Sequence, residues 1–116
     1  MFPFLIELST IWGRAFYRLV SLLLKLLDKD LLMVAALSSE EPLLYEGNVL
    51  IVVRERRPEL IARILELKRE VEREFSDRIT ISPIIATPED TIVERFMALE
   101  GRGFERSEGQ EAPERG

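Results

Sequence analysis

The chain has 116 residues and a net charge of −5, and it contains no cysteine and no histidine. These absences exclude disulfides, thiol nucleophiles, imidazole bases and metal sites built from Cys or His. The hydrophobic fraction of 47% is too high for a wholly disordered chain. The acidic balance argues against a broad nucleic-acid-binding surface. We therefore expect one domain of ordinary size.

The amide-bearing side chains are few. Asn48 is the only asparagine and Gln110 the only glutamine, whereas Glu and Arg abound. This composition is typical of heat-adapted proteins, which avoid thermolabile amides and use many charged residues. We expect a cytoplasmic protein of thermophile-like, archaeal-like composition.

The most apolar stretch, residues 2–27, predicts a long amphipathic helix at about residues 4–28. Polar side chains recur along it every three or four residues and form one stripe at helical period. That stripe interrupts the run of about 20 apolar residues that a membrane span needs. The stretch also lacks the basic start and small-residue cleavage site of a signal peptide. We therefore expect no membrane insertion.

The apolar face of this helix has two interpretations. Its C-terminal half is expected to cover the core of its own domain. Its N-terminal half looks too long for the small sheet behind it, and predicts an interface with a helical protein partner or a second copy of the chain. Attachment to a membrane surface is a third alternative, which the mixed charge of the polar stripe disfavours. The candidate interface residues are Leu8, Ile11, Trp12, Phe16 and Leu19.

Three short segments predict strands. Residues 31–37 (LLMVAAL) form a continuous apolar run, and residues 48–53 (NVLIVV) form a β-branched run. Residues 79–85 alternate apolar and polar side chains with period two, which is typical of a strand with one polar face. Pro83 within that segment has no N–H to donate, so we expect an edge strand or the end of its pairing.

Two further helices follow from the pattern. One begins at Pro58 and keeps an apolar rhythm of three and four residues to Phe75. The other begins at Thr87, as N-cap, and ends near Gly101. Residues 105–116 are mostly charged and small, and predict a disordered tail behind a single domain at residues 1–104. The fold class is α/β or α+β, with a small mixed three-stranded sheet covered by helices.

The order helix, strand, Ser-Ser turn, loop, strand, helix, strand resembles the minimal nucleotidyltransferases, or MNT-type proteins. The resemblance covers residues 31–106 and includes the ISPII sequence of the third strand. In that family a Gly-Ser turn follows the first strand, and an Asp-hydrophobic-Asp motif opens the second. Two carboxylates on alternate strand residues lie on one face, where they hold Mg²⁺ against a triphosphate.

This chain departs from that motif at the positions that carry the chemistry. Leu37-Ser38 stands where Gly-Ser would be, and Asn48 and Leu50 stand where the two Asp residues would be. The resemblance therefore implies a degenerate site with no catalytic residue, metal or cofactor. MNT-type proteins of this size often act as antitoxins of all-helical HEPN ribonucleases. It thus implies a non-catalytic protein that binds such a helical partner or forms a homodimer. An active or nucleotide-binding transferase with an atypical site is the alternative.

Basic residues cluster after the second strand. Arg54, Arg56 and Arg57 predict a patch that could receive a phosphate or an acidic partner. The alternative is a solvated face whose charge is balanced by Glu55 and Glu59.

Overall fold

The structure, a computed structural model, describes residues 10–37, 47–98 and 102–105. Within these residues the chain forms three α-helices, one 3₁₀ turn and four strands. In chain order they are α1 (Ile11–Leu27), the 3₁₀ turn (Asp28–Asp30), β1 (Leu31–Ala36), β2 (Val49–Val53), α2 (Pro58–Glu74), β3 (Pro83–Ala86), α3 (Thr91–Ala98) and β4 (Arg102–Glu105).

The strands form one mixed sheet in the order β3-β2-β1-β4. β1 pairs antiparallel with both β2 and β4, and β2 pairs parallel with β3. The predicted α+β class with a small mixed sheet is confirmed, and the three predicted strands are present. The structure adds β4 as a fourth strand at the edge of β1. Glu105, expected to begin the tail, is the last residue of β4, and residues 106–116 lie outside the described residues.

β2 lies between two neighbours, and all five of its side chains are buried. Because side chains alternate across a strand, β2 supplies two separate cores. Val49, Ile51 and Val53 face α1 and α2, whereas Leu50 and Val52 belong to the core on the side of α3. A strand that is buried on both faces needs apolar side chains at every position, and the aliphatic run of β2 provides them.

β3 is shorter than predicted. It begins at Pro83 and forms an edge of the sheet, as the missing N–H of proline leads one to expect. The preceding residues 79–82 keep the predicted alternation, since Ile79 and Ile81 are buried and Thr80 is exposed. They do not form part of the strand, and side chains from elsewhere bind their backbone.

α3 also begins later than predicted, at Thr91 instead of just after Thr87. The carboxylate of Asp90 accepts a hydrogen bond of 3.0 Å from the Thr87 backbone N–H. This side-chain contact closes a turn at residues 87–90, and the helix starts only after that turn.

α1 begins with Thr10, whose hydroxyl accepts a hydrogen bond of 2.9 Å from the Gly13 N–H. Residues 4–9 of the predicted helix lie outside the described residues. None of the helices in residues 10–37 and 47–98 combines the length and apolarity needed to cross a membrane.

The apolar face of α1 packs inside the chain, which differs from the expected interface. Trp12, Phe16 and Leu19 are buried in the core between α1, α2 and the sheet, and Ile11 is half-buried against the same core. These side chains are buried because α1 packs against both the sheet and α2. Leu8 lies outside the described residues.

Trp12 ties α1 to the end of β1, since its indole Nε1 donates a buried hydrogen bond of 2.9 Å to the Leu37 carbonyl. We expect Trp12→Phe to lower the free energy of unfolding by about 1 to 3 kcal/mol, because the carbonyl loses its donor and the core loses volume. Urea unfolding followed by circular dichroism would measure the change. An unchanged midpoint would show that this bond contributes nothing to stability.

Candidate functional site

Three of the positions compared with the transferase motif, Leu37, Asn48 and Leu50, are described and lie around the start of β2. Leu37 and Leu50 are both buried in the core on the side of α3, in the cluster that includes Phe96. The Leu37 N–H donates to the Asn48 carbonyl across 3.1 Å. Ser38 lies outside the described residues. Of the three motif positions that the structure describes, two are therefore aliphatic packing residues and Asn48 is polar.

Asn48 is buried, with 1% of its surface exposed, and its side chain binds the backbone of residues 79–82. We call these four residues the strap. The amide Nδ2 donates to the Thr80 carbonyl across 3.0 Å, and Oδ1 accepts from the Ser82 N–H across 2.8 Å. The Asn48 backbone N–H donates to the Ser82 carbonyl across 2.9 Å. An amide is suited to this position because it offers a donor and an acceptor in one plane.

Gly47 permits this close approach of the two segments. A Cβ built at Gly47 would lie 2.8 Å from the Ser82 carbonyl oxygen and would also overlap the Ile84 side chain. A backbone oxygen cannot move aside as a flexible side chain can. The Gly47-Asn48 pair thus sets the spacing between the start of β2 and the strap.

Glu72 binds the strap from the other side. It lies on α2 with 3% of its surface exposed. Its Oε2 accepts from the Ile81 N–H across 2.7 Å and from Lys68 Nζ across 3.1 Å, while Oε1 accepts from Arg69 Nη1. Asn48 and Glu72 together satisfy three polar backbone groups of the strap: the Thr80 carbonyl and the N–H groups of Ile81 and Ser82.

The pKa of Glu72 is set by two opposing effects. Burial by itself raises the pKa of this carboxyl, because it penalises the charged form. The hydrogen bonds from the Ile81 N–H, Arg69 and Lys68 favour the charged form and outweigh burial, so the pKa lies below its ordinary value. Glu72 is therefore ionised when the strap is bound.

This shift makes the stability of the chain depend on pH. Because the pKa of Glu72 is lower in the folded state than its ordinary value of 4.5, its contribution to stability is complete above that value. That contribution is lost as pH falls from there through the folded pKa. We expect the free energy of unfolding to fall more steeply below pH 4.5 in the unaltered chain than in Glu72→Gln. Urea unfolding at a series of pH values would measure this. If the free energies of unfolding of the two proteins fell in parallel with pH, Glu72 would not be the cause of the pH dependence.

Glu72 is not among the functional residues that the sequence pattern predicts. Helical periodicity alone assigns an acidic residue to the solvent-exposed face of the helix. The available signal is its spacing: residue 72 follows Lys68 by four positions and precedes Phe75 by three, which places it beside the apolar stripe. The spacing cannot show that a separate segment, 79–82, returns to use this carboxylate.

The structure does not gather the three arginines into one patch. Arg54 Nε donates to the Lys29 carbonyl across 2.8 Å, and Arg57 Nη2 lies 3.4 Å from an Asp30 carboxylate oxygen, both beside the start of β1. Arg56 Nη1 donates to the Ile85 carbonyl across 3.1 Å, beside the end of β3. The end of β2 lies between β1 and β3. The guanidinium groups of Arg54 and Arg57 therefore extend toward the start of β1, whereas that of Arg56 extends toward the end of β3.

The described site is a polar contact between β2, α2 and the strap. Among residues 10–37 and 47–98, no three Asp or Glu side chains come together as a group that could hold a metal ion. The two buried polar side chains, the Glu72 carboxylate and the Asn48 amide, both form hydrogen bonds with backbone groups of the strap. The arrangement fixes the position of the segment leading into β3.

Comparisons of the chain with protein-family models, with curated proteins and with solved structures each returned no match. The class that the structure defines is a small α+β domain with helices on both faces of a mixed sheet.

Proposed function

We propose that this chain is a non-catalytic protein with the element order of a minimal nucleotidyltransferase, and that it acts in the cytoplasm by binding other proteins. The observation that supports this most directly is the role of Asn48. Both polar atoms of its side chain are engaged by the strap. At the second motif position, Leu50 is fully buried beneath α3. In the transferase motif these two positions would carry the carboxylates that bind Mg²⁺.

The partner we propose is a second copy of the chain or an all-helical protein of the HEPN type, in an antitoxin-like role. The family resemblance suggests this class of partner.

Calorimetry with ATP and Mg²⁺ tests the non-catalytic part of the proposal. We expect no heat of binding up to millimolar nucleotide, and no transfer of a labelled nucleotide to the chain or to an added protein. The Ser82→Ala variant serves as a control, since the Ser82 hydroxyl, directly before β3, would be a candidate acceptor of a transferred nucleotide. Tight binding of MgATP by the unaltered chain would overturn the proposal, and would favour a nucleotide-binding transferase with an atypical site.

The partner is tested separately. Light scattering of the purified chain measures self-association, and coexpression with a HEPN-type helical protein from the same genome measures binding to that class. We expect at least one of the two complexes. A chain that stays monomeric and does not co-purify with the helical protein would contradict the interaction role.

A further inference from the structure

β3 forms one edge of the sheet in the described part of the chain. The outer side of an edge strand carries backbone groups that a further strand can bind. The Ser82 carbonyl accepts from the Asn48 N–H and therefore faces β2. Because backbone groups alternate between the two sides of a strand, every second residue after Ser82 also faces β2. The backbone groups of Pro83 and Ile85 consequently face outward.

The side chains at this edge favour the addition of a strand. Ile84 and Ile85 are both half-buried, and they pack against the two different cores of the sheet. A further strand beside β3 would cover both isoleucines more completely and would bind the outward backbone groups. Apolar edges of this kind are the usual places where sheets of separate chains join.

Two features of the chain oppose such pairing. Pro83 has no N–H, so Ile85 is the outward residue of β3 that offers both a donor and an acceptor. An antiparallel strand is bound through residues that exchange both hydrogen bonds with their partner. The Ile85 carbonyl already accepts a hydrogen bond of 3.1 Å from Arg56 Nη1. The guanidinium therefore occupies the acceptor that a further strand would need.

Arg56 is held at this edge by the turn that follows β3. An Asp90 carboxylate oxygen lies 3.9 Å from Arg56 Nη1. The same oxygen accepts from the Thr87 N–H across 3.0 Å, which fixes the carboxylate beside the end of the strand. The Arg56 side chain is about half exposed, so it lies at the surface, where an incoming strand would have to displace it.

We propose that Arg56 blocks the addition of a strand to the edge of β3 and thereby prevents copies of this chain from joining through their sheets. Pro83 and Arg56 act together, the first by removing a donor and the second by occupying an acceptor. The inference does not depend on the proposed partner, because it concerns a route of association that the folded chain closes.

The first test removes the guanidinium and keeps an aliphatic side chain of similar length, in Arg56→Met. Arg54→Met is the matched control, since it makes the same change three residues or fewer from the end of β2, where Arg54 Nε binds the Lys29 carbonyl beside β1. By sedimentation velocity at a series of concentrations, we expect Arg56→Met to form larger species at a concentration at least about tenfold lower than the unaltered chain does. Arg54→Met should remain within about twofold of the unaltered chain.

The second test locates the contact. In Arg56→Met, hydrogen–deuterium exchange of the Ile85 amide should become slower as the protein concentration rises, because its outward N–H becomes bound. The amides of β4, at the opposite edge of the sheet, should exchange at a rate that does not depend on concentration. Asp90→Asn is a second variant, which keeps an acceptor for the Thr87 N–H but removes the charge that attracts Arg56. We expect it to associate in the same direction as Arg56→Met.

The outcomes decide the inference independently of the proposed function. Equal sedimentation of Arg56→Met and Arg54→Met would overturn it, because the two variants change the net charge by the same amount. Association of Arg56→Met without slower exchange at Ile85 would also overturn it. Tight binding of MgATP, or failure to find a protein partner, bears on the proposed function and leaves these comparisons unchanged.

Discussion

Replacing Asn48 with alanine is expected to lower the free energy of unfolding by about 2 to 4 kcal/mol, since two buried backbone groups lose their partners. The Thr80 carbonyl loses the donor at 3.0 Å, and the Ser82 N–H loses the acceptor at 2.8 Å. For a domain of this size the loss corresponds to a fall in Tm of about 10 to 25 °C. Thermal unfolding followed by circular dichroism would measure it.

The matched control is Ser82→Ala. It removes the Ser82 hydroxyl from the strap but keeps the backbone N–H that Asn48 binds, so we expect a change within about 0.5 kcal/mol. The Asn48→Asp variant keeps the acceptor but sets a carboxylate against the Thr80 carbonyl, and we expect a loss as large as that of Asn48→Ala. If Asn48→Asp matched the stability of the unaltered chain at pH 7, the amide would not be holding the strap.

The Asn48 result also bears on how the motif position is understood. A large loss of stability would mean that the residue at the first motif position maintains the fold. The same side chain cannot then be exchanged for a metal-binding acid without a change elsewhere in the strap. Stability and nucleotide-binding measurements on the same variant therefore address the structural role and the chemical role together.

The second large effect is expected at Glu72. Glu72→Ala removes the acceptor of the Ile81 N–H and leaves Lys68, which is largely buried, without its carboxylate. We expect the free energy of unfolding to fall by about 3 kcal/mol, because breaking one partner of a buried charged contact leaves the others unsatisfied. Urea unfolding at pH 7 would measure the loss.

Glu70→Ala is the control for Glu72. It removes the same carboxylate from the same helix at an exposed position, so we expect a change within about 0.5 kcal/mol. Glu72→Gln should lose less than Glu72→Ala, since its side-chain oxygen still accepts from Ile81. Equal stability of Glu70→Ala and Glu72→Ala would show that the buried contact adds nothing to the fold.

The three strands and the two later helices could be predicted because their hydrophobic spacing is local. The run VLIVV indicates a strand buried on both faces wherever it lies in the sheet. β4 could not be predicted in the same way, since RGFE is short, contains a glycine and has little alternation. It pairs antiparallel with the edge of β1, a contact between distant parts of the chain that local spacing does not reveal.

The site was harder to predict than the fold. Asn48 was identified as a special residue, but by resemblance to a metal-binding motif, and not as a hydrogen-bonding partner of residues 80 and 82. Glu72 was not identified at all. Both bind residues at least nine positions away in sequence, and spacing along one helix or strand carries no information about such contacts.

The α+β class, the central strand and the amphipathic character of α1 and α2 could be predicted from the sequence alone, because each follows from side-chain periodicity along a single element. It takes the folded chain to show that Trp12, Phe16 and Leu19 face its own core, that the arginines diverge, and that one amide and one carboxylate hold the strap. Those outcomes depend on which elements become neighbours. Buried polar groups must find partners, and the folded chain supplies them from distant positions in the sequence.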